Sequence, residues 1–143
     1  MSVEENKAVV RRMVEEAWNG HDPDALDEFV APDYFNHMAV SGHQHGVEGA
    51  KHVQRWLEAT FANPEFHVED IIADGDMVAI RGRANGTHEG EFFGNPPTGK
   101  RFSAEQVHWF RLADAKVVEH WAVRDDLGQM QQLGLLPEPG GAR

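Results

Sequence analysis

Gln106, His108, Trp121 and Asp125 fall on two segments of alternating apolar and polar residues, separated by Ala113-Asp114-Ala115-Lys116. If that link is a two- or four-residue turn centred on Asp114-Ala115, Leu112 faces Val117 and Phe110 faces Glu119. His108 then faces Trp121, Gln106 faces Val123, and Asp125 reaches the same face beside Ala104. This register gathers a carboxylate, an imidazole, an amide and an indole against a wall that includes Phe110 and Val123. A polar minority on an apolar wall is the make-up of a small-molecule pocket. A carboxylate in such a place could serve as a base, though the dipole of a helix it caps would hold its proton affinity down and weaken it. The same spacing also fits a core strand pair with a satisfied histidine and an aspartate that caps the next helix. Asp126 is the competing cap, so which of the two carboxylates is free stays open at this level.

Other chemistries find little support. The chain has no cysteine, Ser41 and Ser103 lack a nucleophile motif, and the glycines between Gly90 and Gly99 precede no helix and match no phosphate loop. His37, His43, His45 and His52 make a histidine-rich stretch, but without the His-Glu-x-x-His spacing of a metal helix, so no metal ligand is assigned there. His21, His67 and His120 read as partly exposed side chains. His37, in the aromatic run Asp33-Tyr34-Phe35-Asn36-His37, is a pocket candidate.

The elements that must position these residues change period once along the chain. Ser2 and Glu5 have capping-box spacing, followed by an apolar helical face of Val10, Met13, Val14, Ala17 and Trp18. Asp22 and Pro23 start a short second helix carrying Leu26, Phe29 and Val30. The spacing predicts a third helix over Val47 to Phe61, with Ala50, Val53, Leu57 and Phe61 inward. After Pro64 the pattern is that of strands. Asp74-Gly75 signals a hairpin, and Val78 and Ile80 alternate with Arg81 and Arg83. Two further strands, about Ser103 to Leu112 and Val117 to Arg124, lead to a last helix over Leu127 to Leu133. Helices followed by an antiparallel-rich sheet predict an α+β domain over residues 1–136, with 137–143 as a flexible tail.

With 143 residues the chain suits one domain and is long enough to enclose a pocket. Acidic residues outnumber basic ones 24 to 13, for a formal charge of −11, and no basic stripe exists. Nucleic acid and anionic membrane surfaces are therefore unsuited partners. No apolar run is long enough for a membrane span, and a cysteine-free chain suits a cytoplasmic location.

Several blocks together resemble a known family. They are Asp76-Met77-Val78-Ala79-Ile80-Arg81, the run from Gly86-Thr87-His88 to Pro96-Pro97-Thr98-Gly99-Lys100, Val118-Glu119-His120-Trp121, Asp125-Asp126-Leu127-Gly128 and Gln131-Gln132-Leu133-Gly134. The chain is similar to the SnoaL-like polyketide cyclases, or ester cyclases, within the nuclear transport factor 2-like fold class. The resemblance implies a curved sheet wrapped by about three helices into a cone around a deep pocket, and a homodimer paired through the outer sheet face. It implies intramolecular aldol closure of a polyketide or related carbonyl substrate, without cofactor or metal. The catalytic aspartate maps onto Asp125, with a pocket His and Gln on the neighbouring strand mapping onto His108 and Gln106. Beside these, the residues expected to contact substrate are Trp121, Phe110 and Val123 from the hairpin register, His37 from the aromatic run, and Arg81. An aspartate is a weak base, so the carbon it deprotonates must be flanked by two carbonyls or the carboxylate desolvated. Two other readings fit the same fold. One is an epoxide hydrolase using carboxylates bridged by an arginine, with Arg81 near Asp125; the other is a non-catalytic binder of a small apolar molecule.

Overall fold

A computed structural model describes residues 1–39 and 42–137. The expected break at Ser41 and nearly all of the expected tail lie outside these residues. Helix α1, Val3–Met13, starts at a complete capping box: Glu5 N–H donates to Ser2 Oγ, and Ser2 N–H to the Glu5 carboxylate, both at 3.1 Å. It runs on into a π-helical turn, Val14–Trp18, whose wider coil carries Trp18 toward the sheet. A 3₁₀ turn at Pro23–Ala25 and a single α-helical turn, α2 at Leu26–Phe29, follow; Asp22 takes the cap position but makes no side-chain capping bond.

Five strands form one sheet in the order β1-β5-β4-β3-β2. They are β1 Val30–Asn36, β2 Phe61–Asp74, β3 Met77–His88, β4 Arg101–Ala113 and β5 Lys116–Arg124. β1 runs parallel to β5, and every other pair is antiparallel. The first hairpin turns at Gly75-Asp76, one residue later than the expected Asp74-Gly75, because Asp74 pairs with Met77. β2 carries two register shifts and curls over β3, where Gly82 is required: a Cβ there would collide with the His67 carbonyl.

Helix α3, Gly46–Thr60, lies across β1 and β2, and α4, Asp126–Gln132, covers the end of β4. The main core fills the space between α1, α2 and the inner sheet face, with Val10, Met13, Val14, Phe29, Val78, Ile80, Phe110 and Val117 buried. A second cluster of Phe61, Phe92, Phe102 and Leu133 closes the α4 end. The inward face expected for α3 needs correction. Leu57 is exposed, while Lys51 and Gln54 are buried. Their donor groups are paired in place, Lys51 with Asp27 at 2.9 Å and the Gln54 amide nitrogen with the Ala17 carbonyl at 2.6 Å, although Gln54 Oε1 has no partner among the described residues. That is what permits the helix to roll relative to its apolar stripe.

Candidate active site

The geometry of the site is set by one residue. In the β4–β5 hairpin, Leu112 pairs with Val117 as the two-residue turn demands, but the next pair is Arg111 with Glu119. Val118 is the extra residue of a β-bulge, and beyond it every side chain of β5 changes face relative to a regular hairpin. His108 therefore lies opposite Ala122, Phe110 opposite His120, and Gln106 opposite Arg124. The expected pairing of His108 with Trp121 and of Gln106 with Val123 is thereby corrected. Trp121 and Val123 lie on the outer face, opposite Trp109 and Val107.

His120, expected to be partly exposed, occupies the inner face instead and is 8% exposed. Its Nε2 is 2.8 Å from His108 Nδ1, and its Nδ1 is 3.0 Å from the hydroxyl of Tyr34 on β1. His108 Nε2 in turn meets Gln106 Oε1 at 2.8 Å. Four side chains thus form one hydrogen-bonded line across the inner face: Tyr34, His120, His108, Gln106. Aromatic rings enclose it. Trp18 and Phe66 stand edge-on to His108 at 5.1 Å each, and Phe110 stacks on His120 at 4.6 Å.

Burial, with a smaller push from the Arg124 charge, lowers His108 to about 3. Burial followed by the neighbouring charges holds His120 well below its ordinary value, and burial drives the Tyr34 phenol far above its own. All three groups are neutral near pH 7. A neutral imidazole here is a poor base but a good N–H donor.

Asp125 is exposed at the end of β5, and its Oδ1 accepts from the Gly128 N–H at 2.9 Å. It, rather than Asp126, is the N-cap of α4. Asp126 points to Arg124 at 3.5 Å. An open cavity of about 220 Å³ is lined by Glu105, Gln106, Val107, Val123, Arg124 and Asp125. The Asp125 N–H donates to the Glu105 carbonyl at 3.0 Å and so continues the shifted register, which gives Asp125 the outer-face parity of Val123 and corrects the expected grouping of Asp125 with His108 on one face. Gln106 and Asp125 still line one cavity, at the strand end, and Gln106 connects that cavity to His108.

Besides Trp121 and Val123, two more expected pocket residues lie on the outer face. Arg81 is on the outer face, bound to Asp70, Glu69 and Glu105, because odd-numbered residues of β3 point away from the helices. No Arg81–Asp125 bridge forms among the described residues. His37 is also outside, stacked on Trp121 at 4.7 Å and bonded to Glu119 at 2.8 Å. In the histidine-rich stretch, His43 stacks on His52 at 3.7 Å and His45 packs on Phe35. Among the described residues no group of three or more metal-ligating side chains is placed to hold a metal ion.

Sequence reasoning missed His120, Tyr34 and Arg124 as members of the site. The one signal available was Val117-Val118, two adjacent apolar residues that interrupt the alternation where the bulge occurs.

Residues 8–133 match the family model of the SnoaL-like polyketide cyclases. The chain belongs to that family. This SnoaL-like chain is 37% identical over 140 residues to the aklanonic acid methyl ester cyclase DauD of Streptomyces sp. (strain C5), covering 94% of its own length and 86% of that protein. To the nogalonic acid methyl ester cyclase of Streptomyces nogalater it is 35% identical over 121 residues, covering 82% of this chain and 90% of that one. Among solved structures, TsrD from Streptomyces laurentii superposes with a TM-score of 0.86 at 26% identity, over 95% of this chain and 99% of the other. The α+β cone with its curved sheet is thus the SnoaL-like fold, and the reaction class that goes with the family is that of a cyclase-type enzyme. No helix among the described residues is long and apolar enough to cross a membrane.

Proposed function

We propose that this SnoaL-like cyclase closes a carbocycle by intramolecular aldol addition on the methyl ester of a polyketide acid, the substrate type carried in its relatives' names. The observation that supports the reading best is the cavity lined by both Asp125 and Gln106 at the strand end, with His108 bonded directly behind Gln106. One Asp125 oxygen is engaged as the helix cap; the other takes a proton from carbon between two carbonyls, where a carboxylate is a sufficient base. The resulting carbanion adds to a ketone of the same molecule, forming the new carbon–carbon bond. Asp125 then returns its proton to the alkoxide, so substrate and product are isomers and no cofactor is consumed. His108 and Gln106 steady the oxygen on which charge develops, and the exposed Arg124 guanidinium adds a positive charge at the same rim.

Phe110 contributes as buried wall and Val123 as rim. Trp121, His37 and Arg81 serve this reading differently. Ile72, Ala79, Trp109 and Trp121 lie side by side across four strands on the outer face, with His37 stacked at the end. Ile72 is 66% exposed and Trp109 48%. We propose that this stripe pairs with a second copy in a cytoplasmic homodimer, the ion pairs of Arg81 and of Arg111 with Glu119 flanking it. Residues 1–136 act as the single domain.

The test is direct. Incubation with aklanonic acid methyl ester should convert it to a product of equal mass and different retention, followed by liquid chromatography and mass spectrometry. Binding without conversion would instead support a carrier.

A further inference from the structure

We propose that Tyr34 and His120 are positioning residues that hold both buried imidazoles in a single tautomer, so that His108 presents Nε2–H, and never a lone pair, to Gln106, the residue that lines the cavity. The argument is a hydrogen count. A neutral imidazole has one N–H and one lone pair, whereas a phenol always carries a hydrogen that needs an acceptor when buried. Tyr34 is 5% exposed, and among the described residues its hydroxyl has one hydrogen-bond partner, His120 Nδ1 at 3.0 Å.

If Tyr34 donates, His120 Nδ1 is bare and its hydrogen sits on Nε2, 2.8 Å from His108 Nδ1. His108 Nδ1 is then bare as well, and its hydrogen sits on Nε2, 2.8 Å from Gln106 Oε1. Every hydrogen in the line finds an acceptor. In the reverse arrangement His120 Nδ1–H points at the phenol oxygen, and the phenol hydrogen is stranded in the protein interior. A stranded buried donor is costly enough to favour the first arrangement by roughly tenfold or more. Burial keeps both rings neutral, so neither escapes the choice by taking a second proton.

The catalytic consequence rests on the cyclase reading. A carbonyl oxygen of the substrate would take the place of Gln106 Oε1 as acceptor and meet a donor already oriented and polarised by two bonds behind it. His108 would act as an electrophile and not as the base, which leaves the α-proton to Asp125.

Long-range proton–nitrogen correlation spectra of the full chain labelled with ¹⁵N-histidine test the tautomers without any turnover. His108 and His120 are assigned by the signals lost in His108→Gln and His120→Gln. At pH 7 both rings should carry hydrogen on Nε2 with Nδ1 bare. Hydrogen on Nδ1 of either ring, or a doubly protonated ring, overturns the proposal. Tyr34→Phe, which keeps the shape, should shift the His120 Nδ1 resonance and lower kcat about 2- to 10-fold with KM unchanged. An unmoved resonance or an unchanged kcat removes Tyr34 from the role. Failure of the wild type to convert the methyl ester would count against the cyclase reading, while the tautomer result stands or falls by the spectra.

Discussion

His108 Nδ1 lies 2.8 Å from His120 Nε2 across adjacent strands, and each ring is only 8% exposed. Two imidazoles at this distance share one hydrogen and have no room for a second, so the pair cannot be doubly protonated in place. Burial is the first cause of both depressed proton affinities, and at His120 the adjacent His108 is the second.

The pair makes stability depend on pH with a definite sign. Both histidines have lower proton affinity folded than unfolded, so the unfolded chain binds more protons below about pH 6.5. Their contribution is fully present above that pH and is lost as pH falls toward the folded value of about 3 for His108. For His108 the loss should approach about 1.4 kcal/mol of stability per pH unit inside that window, and His120 should add a loss of the same sign. Urea midpoints measured between pH 7.5 and 5 should therefore fall steeply, and less steeply in His108→Gln. Equal slopes would mean that the rings titrate in the folded protein.

The turn behind the bulge stores strain that substitution should release. Asp114 and Ala115 both have positive φ, 50° and 66°, as a two-residue hairpin of this hand requires. Asp tolerates that conformation; Ala does so at a cost of roughly 1–2 kcal/mol. Ala115→Gly should raise stability by about 1 kcal/mol, partly offset by the freedom glycine gains when unfolded, and lift the melting temperature by roughly 2–4 °C. Calorimetry that shows a lower melting temperature would rule this out.

Much of the architecture is legible in the residues, because strong local signals mark it. Ser2 and Glu5 make the capping box that their spacing announces, and Arg81 and Arg83 turn outward as the alternation with Val78 and Ile80 requires. The third helix begins one residue earlier and ends one residue earlier than its pattern indicates, since Phe61 opens β2. The site was harder to read because it depends on parity. One extra residue, Val118, exchanges His120 for Trp121 and Ala122 for Val123 on the inner face. Nothing in hydrophobic periodicity announces a bulge beyond a pair of adjacent valines. Tyr34 was equally hidden, since its partner is set by the parallel pairing of β1 with β5, a contact between distant parts of the chain.

The outer-face stripe yields a prediction about assembly. Trp109 sits at its middle, between Ala79 and Trp121. Trp109→Glu would place a charge in the proposed dimer interface while leaving the inner face untouched. Light scattering at micromolar concentration should give a dimer mass for the wild type and a monomer mass for the variant. A wild-type monomer would leave the stripe without the partner proposed for it.

Asp125 has two duties that can be separated, because a cap needs only an acceptor and a base needs a carboxylate. Its Oδ1 accepts from Gly128 N–H, and α4 is only seven residues long, so the cap matters to that helix. Asn caps a helix about as well as Asp. Asp125→Asn should therefore keep the melting temperature within error and lose at least ~10²-fold of the rate, the low end for general-base catalysis. Asp125→Ala should lose the same activity and about 1 kcal/mol of stability besides. Asp126, which only faces Arg124 at 3.5 Å, should tolerate Asn with little change in either. Active Asp125→Asn beside inactive Asp126→Asn would reassign the base to Asp126. Activity in both would mean that no carboxylate at this strand end removes the proton, and the mechanism proposed for the cavity would have to be abandoned.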